Sequence, residues 1–359
     1  MKPSPSRAKR RAVTVAVTGM NARPDNPGPG LAVARCLKES RHLHARVLGL
    51  AYDAFDPGLY LPQWSDESHL MPYPSAGEET YMARLAGLHQ ASGFDVLLPC
   101  LDAELPTLSR LVPWLEEQGV ATMLPTAEQI RLRSKDRLNE LADEAKIDCP
   151  ETKSVFREDF FADAADAGFD YPLVVKGLFY DARIAHTQDE AVAAFRRIAG
   201  EWGLPVLVQK FAAGEEINLT GIGDGEGRLI GAVMMKKRAL TDKGKAWAGI
   251  SIHDEALLAA ARRLVAATRW RGPLEVEVMR GADGRFSLIE INPRFPAWIY
   301  LSVGVGQNLP ETLVRLALGE KLAEPPPAPA GILFIRYAQE VIVPLSDFEA
   351  MVTTGGLYA

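Results

Sequence analysis

No stretch of this chain is long and apolar enough to span a membrane; roughly 20 consecutive apolar residues would be needed. Cysteine is scarce. Cys36, Cys100 and Cys149 are widely spaced and odd in number, which offers neither a disulfide framework nor a zinc pattern and fits a reducing, cytoplasmic setting. The six histidines show no metal-ligand spacing, and His42 and His44 flank Leu43 near a helix end, where capping or solvation is role enough. There is no excess of positive charge: 40 Lys and Arg stand against 46 Asp and Glu, a net −6, which argues against a nucleic-acid partner. Basic residues do crowd positions 7–11, but the β-prone run Val13-Thr14-Val15-Ala16-Val17 follows too soon and is too short for a secretory core. Residues 1–12 therefore read as a disordered basic tail. No internal repeat is visible. No Ser-His-Asp or Cys-His arrangement stands out either.

What remains is an ordinary globular composition, 47% apolar and 24% charged over 359 residues, enough for two or three packed units. Residues 13–125 alternate strands (13–18, 47–50, 95–99, 121–124) with helices (31–39, 80–92, 105–118). That alternation predicts a doubly wound parallel α/β sheet. Its loop 19–30 carries Gly28-Pro29-Gly30. It could aim backbone N–H groups at an anion or serve only as a tight turn, and it is not a full G-x-G-x-x-G. Asp102 and Glu104 follow a strand's carboxyl end, where ligands bind in such sheets, with surface solvation as the equal alternative.

From residue 126 the texture changes. A charged helical region covers 126–146. Strands are expected at 171–176, 205–211, 217–221 and 229–235, with helices at 189–200, 253–270 and 310–318. Pro325, Pro326, Pro327 and Pro329 mark residues 321–330 as a linker, and 332–343 reads as a strand pair packing back on the body. The expected domains are thus 13–125, a two-lobed α+β unit split as 126–205 and 206–320, and a linker-plus-strand segment 321–359.

The chemistry gathers near the end. In Leu288-Ile289-Glu290-Ile291-Asn292-Pro293-Arg294, alternation along a strand puts Glu290 and Asn292 on one face, two hard oxygen donors of the kind Mg²⁺ takes. Arg294 follows in the same phase, a fork suited to phosphate or carboxylate. Upstream, Pro273-Leu274-Glu275-Val276-Glu277-Val278 is a second strand with acids on alternate positions. Gly281-Ala282-Asp283-Gly284 is a hairpin-type turn that would bring Glu277 and Glu290 together.

In order and spacing, Lys135, Lys176, Gln209-Lys210-Phe211-Ala212, Glu216, Glu277 and the Glu290–Arg294 run resemble the ATP-grasp superfamily over residues 134–320. These are ADP-forming ligases such as D-alanine–D-alanine ligase, biotin carboxylase and the carbamoyl-phosphate synthetase large subunit. The resemblance implies that residues before about 126 form the domain preceding the grasp. It implies that Lys135 and Lys176 reach the nucleotide phosphates, and that Gln209, Lys210 and Ala212 belong to a hinge receiving adenine. Glu216 would accept from ribose hydroxyls. Glu277, Glu290 and Asn292 would hold Mg²⁺, with Mn²⁺ as an alternative. Arg294 would steady the transferred phosphoryl group, and Lys237, Arg238 and Lys245 would lie in a loop covering the phosphates. An isolated lysine or acid is more often a solvated surface charge, but Lys176 follows four apolar residues and fits that reading poorly.

The activity implied is a two-step ligation. A carboxylate attacks the γ-phosphate of ATP, and an amine or similar nucleophile then displaces phosphate from the acyl phosphate. The expected partners are small carboxylates and amines, amino acids or peptides among them, and relatives are commonly homodimers. Trp298 and Tyr300 would border the acceptor pocket or pack in the core. One departure is visible. Relatives carry a glycine-rich closing loop where this chain has Gly177-Leu178-Phe179-Tyr180-Asp181-Ala182-Arg183, and Tyr180 or Arg183 would have to substitute. Two rivals stand beside the ligase: activation of a small acid in the manner of carbamoyl-phosphate synthetase or biotin carboxylase, and a nucleotide-binding scaffold without turnover.

Overall fold

The computed structural model describes residues 10–133, 137–177 and 181–358. The chain opens with β1 (Arg11–Val17), α1 (Gly30–Lys38), β2 (Leu43–Ala51), β3 (Glu67–Leu70), α2 (Glu78–Ser92), β4 (Val96–Leu98) and α3 (Leu105–Glu117). β3, β2, β1 and β4 lie side by side in parallel. Val33, Ala34 and Leu37 of α1 pack with Val13, Val15 and Val17 on one face. Tyr81, Leu85, Leu108 and Leu111 of α2 and α3 pack with Ala16, Leu48 and Leu50 on the other. With helices on both faces, β2 has no solvated side, which is why its second half reads Val-Leu-Gly-Leu-Ala rather than alternating. The expected strand at 121–124 amounts to a single bridge, Val96 to Ala121.

After α4 (Ala127–Leu132) and α5 (Leu138–Ala145), a second sheet forms from β5 (Thr152–Val155), β6 (Leu173–Lys176), β7 (Ala182–Ala185) and, beyond α6 (Gln188–Trp202), β8 (Val206–Lys210), in the order β5-β8-β6-β7. The expected lobe boundary at 205/206 therefore falls too early, because β8 pairs with both β5 and β6. The chain leaves this sheet through residues 211–214. Gly214 has φ +150°, and a Cβ there would lie 2.3 Å from the Arg280 carbonyl oxygen, so only glycine fits the crossing.

The third sheet is antiparallel: β9 (Glu215–Asp224), β10 (Leu229–Leu240), β11 (Ala246–Ile252), then after α7 (Glu255–Thr268) β12 (Arg271–Arg280) and β13 (Phe286–Asn292). Following α8 (Leu301–Gly304) and α9 (Leu309–Ala317), β14 (Leu333–Ile335) adds to its edge, giving the order β13-β12-β9-β10-β11-β14. One face packs on α5 and α7 through Leu219, Leu264, Val276 and Leu288. The other packs on the first domain through Ile222, Val233, Met235 and Trp298. The chain ends with α10 (Leu345–Thr354) and β15 (Gly356–Tyr358), which pairs antiparallel with β3. The expected strand pair at 332–343 is corrected: only Leu333–Ile335 is a strand, and residues 336–344 are irregular. Among the described residues no helix is long and apolar enough to cross a membrane.

Candidate nucleotide and metal site

Glu277 of β12 sits directly across from Glu290 of β13, and Glu275 across from Asn292. The register slips by one residue just beyond, where Val278 pairs with Leu288. This bulge is required. Strict alternation would put Leu288 and Glu290 on the same face, whereas Leu288 packs in the core under α7 together with Ile291. The extra residue reverses the phase, so Leu288 stays inside while Glu290 and Asn292 turn to the opposite face with Glu275 and Glu277.

On that face the side chains are held tightly. The Asn292 amide donates to Glu275 at 3.0 Å and to Glu277 at 2.9 Å. Glu275, 4% exposed, also accepts from Asn218 Nδ2 at 3.0 Å and Trp298 Nε1 at 2.8 Å. Arg294 donates through Nε to Asp102 at 2.7 Å and through Nη2 to Asn292 Oδ1 at 3.3 Å, and its Nη1 lies 3.7 Å from Glu275. Asp102 is also paired with Arg133. From β10, Lys237 bonds Glu216 and lies 3.8 Å from Glu277.

The charges read as one cluster. Burial, together with the neighbouring Glu277 charge, pushes Glu275 up. Burial would also raise Glu277, but Lys237 and Lys245 outweigh it and hold Glu277 below the usual carboxylate range. Burial likewise pushes Glu216 up, against the pull of Lys237. For Lys237 and Arg294, desolvation is overcome by the surrounding acids, and both are raised. Four acids (Glu216, Glu275, Glu277, Glu290) thus share a face with two contacting cations. A divalent cation would balance the excess.

The remaining expected residues are placed less centrally. Lys176 is buried at the end of β6. Lys245 is exposed, yet its charge reaches Asp102 and Glu277. Arg238 is exposed and influences Glu215 rather than this cluster. The Gln209 side chain is buried and donates to Thr152 Oγ1. Lys210 pairs with Glu151 and covers the Phe169 ring. Lys135 and Tyr180 lie outside the described residues. Arg183 is exposed, beside Asp181.

Three expectations are narrowed. Gly28 N–H donates to Asn21 Oδ1 and Gly30 N–H to the Gly19 carbonyl, so the loop satisfies its own donors and is a tight turn. Glu104 is not solvated: fully buried, it accepts from Thr18, Tyr52 and the Cys100 and Leu101 amides. Of the two alternatives for Trp298 and Tyr300, pocket wall or core, Trp298 takes the core. Trp298 is 3% exposed beneath Glu275, and the Tyr300 ring stacks under the Arg35 guanidinium at 3.6 Å.

A family profile described as ATP-grasp in the biosynthetic pathway with Ter operon matches residues 204–340. Over those residues, a little over a third of its length, the chain is similar to the ATP-grasp family. It is 26% identical over 236 residues to the carbamoyl phosphate synthase large chain of Clostridium perfringens (strain SM101), covering 61% of this chain and 22% of that one. A Clostridium botulinum (strain Kyoto) counterpart is 26% identical over 234 residues. The chain spans about a fifth of these curated relatives. In solved structures it is similar to the biotin carboxylase domain of Hydrogenobacter thermophilus 2-oxoglutarate carboxylase, solved with MgADP and bicarbonate. The TM-score is 0.65 at 18% identity, over 86% of this chain and 70% of that one. It is also similar to an L-amino acid ligase from Bacillus licheniformis (TM-score 0.62, 18% identity, 87% and 75% covered). Both likenesses concern the fold.

Within this candidate site the donor set fits a hard cation. Glu277, Glu290 and Asn292 offer oxygen only, as Mg²⁺ prefers. Among the described residues no three His, Cys, Asp or Glu are grouped to hold a metal by themselves; the Asn292 amide oxygen, which here accepts from Arg294, would have to serve as the third donor. Sequence reasoning passed over Asn218, Glu275 and Asp102 as supports. The signal for Glu275 was present: an acid alternating with core residues Leu274 and Val276 has nowhere to go but a buried polar face.

Proposed function

We propose that the protein is an ATP- and Mg²⁺-dependent ligase that joins a small carboxylate to an amine or similar nucleophile, releasing ADP and phosphate. The observation carrying this reading is Glu277 opposite Glu290, with Asn292 and Arg294 hydrogen-bonded beside them on a buried face. In this reading the substrate carboxylate attacks the γ-phosphate and the resulting acyl phosphate is opened by the nucleophile. Arg294, fixed by Asp102, neutralises charge on the transferred phosphoryl group. Lys176, Lys237, Lys245 and Lys135 serve the polyphosphate, Glu216 the ribose and the backbone at 209–212 the adenine. Bound at Glu277, Glu290 and Asn292, Mg²⁺ would supply further charge neutralisation. Arg238, away from the cluster, is assigned to the rim of the covering loop. No side chain need become covalent, and catalysis is positioning and electrostatics.

The test is ATP, Mg²⁺ and pools of amino acids and short peptides, with phosphate release and product mass measured. Release that needs two components and yields a new amide supports the ligase. Release with one small acid such as bicarbonate favours the carboxylase-like reading. ATP binding without release in any pool favours the scaffold.

A further inference from the structure

The six-stranded sheet ends at β14, and what lies on its outer side is solvent. Leu333 and Ile335 are each more than 60% exposed, Tyr337 is 67% exposed, and in the irregular stretch beyond, Ile342 is 92% exposed. Among the described residues no strand pairs with the free side of β14. Natural edges are usually blunted by charge, proline or a bulge. This one has an apolar row.

The sequence here has a symmetry. Leu333-Phe334-Ile335-Arg336-Tyr337-Ala338-Gln339-Glu340-Val341-Ile342-Val343 reads the same in character from either end, pivoting on Ala338. Three apolar residues balance three, Tyr337 balances Gln339, and the single cation Arg336 balances the single anion Glu340. An antiparallel strand paired with a copy of itself places residue 338 − n opposite 338 + n, so this pattern is complementary to itself in charge as well as in apolarity. A two-fold axis demands such self-complementarity.

The backbone agrees in phase. Arg336 N–H donates to the Trp247 carbonyl and Ser251 N–H to the Ile332 carbonyl, so even-numbered residues direct their backbone groups at β11. Leu333, Ile335 and Tyr337 direct theirs outward. In the self-paired register these odd residues meet Val343, Val341 and Gln339 of the second copy, also odd. Side chains sort too. Phe334 and Arg336 are partly buried on the body side, Arg336 donating to the Ala297 carbonyl at 2.9 Å, so Glu340 of the second copy would arrive beside that cation.

We propose that residues 333–343 form an antiparallel β-ribbon with the same segment of a second copy, the axis passing through Ala338 and the two six-stranded sheets continuing into one. The irregular residues 336–343 straighten as they pair. Ala338 then occupies a non-hydrogen-bonded position facing itself at about 4.5 Å between Cα atoms, within disulfide reach.

The full-length protein tests this. Light scattering should give a dimer at tens of micromolar, and Glu340→Arg, which sets like charges opposite each other on an exposed position, should raise its dissociation constant at least about tenfold. Under mild oxidation Ala338→Cys should give a covalent dimer on a non-reducing gel that Gln339→Cys and the wild type do not. A wild-type monomer, or a dimer indifferent to Glu340→Arg with no Ala338→Cys cross-link, would overturn the proposal. Cross-linking equally strong at 338 and 339 would indicate mere chance collision and overturn it too.

Discussion

The two edges of the six-stranded sheet break the inside-out rule in opposite directions. On β13 the misplaced groups are polar and buried: Asn292 is 6% exposed and, with Glu275 and Glu277 of β12, forms a knot of acids and amide on the inner face. Its outer side is closed by the chain at residue 148, which exchanges hydrogen bonds with Phe286 and Leu288. On β14 the misplaced groups are apolar and exposed, and the outer side is open. Burying charge costs free energy unless something of opposite charge answers it. Exposing a contiguous apolar row costs free energy unless something covers it. The same reasoning therefore points one edge at a cation and phosphate and the other at protein.

The largest effect is expected where the polar edge is cut directly. Glu277→Gln or Glu290→Gln keeps shape and hydrogen-bonding capacity while removing one charge. Nucleotide turnover should fall by about 100-fold or more, with the melting temperature nearly unchanged. Full activity in either variant would remove β13 from the chemistry and leave the knot as packing alone. Glu275→Gln probes the support beneath. It touches Asn292, Asn218 and Trp298 without being a proposed metal ligand, and supporting residues of this sort typically account for about 10- to 100-fold. Titrating Mg²⁺ against ADP formation should show a higher half-saturation in Glu275→Gln. A fall in thermal stability with unchanged Mg²⁺ dependence would make Glu275 a structural acid only.

Much of this comparison was legible before any coordinates. Alternation put Glu290 with Asn292, the hairpin spacing put Glu277 opposite Glu290, and the ordering of lysines and acids pointed to the grasp. What stayed hidden depended on non-local geometry. The bulge at Ile289 leaves no mark in a seven-residue strand, since it is demanded by Leu288 packing under α7. Asp102 meets Arg294 across 192 positions of sequence, and no local pattern could pair them. Trp298 and Tyr300 were open between pocket wall and core, because an indole N–H will satisfy a buried carboxylate and a phenol ring will stack on a guanidinium wherever the fold offers one. The strand pair expected at 332–343 failed because β-propensity needs a partner to become a strand, and among the described residues this chain supplies one only for Leu333–Ile335.

A third buried acid isolates the effect of burial from that of function. Glu311, on α9 and 5% exposed, shares no hydrogen-bond partner with the acid knot among the described residues and accepts from Ser40, the Arg41 amide and the His42 ring. Burial would raise its carboxyl, but those donors outweigh it and hold it below the usual range. Its contribution is then present above the unfolded carboxyl value and lost as pH falls through the lower folded value. Glu311→Gln should cost about 1–3 kcal/mol at neutral pH, and the gap to wild type should close progressively as pH drops below about 4.5, followed by denaturant midpoints across the range. Turnover at neutral pH should move least of all the variants. If Glu311→Gln instead lowered nucleotide turnover as far as Glu275→Gln does, burial of an acid in this fold would itself suffice for the effect. The polar edge would then lose its claim to be different in kind.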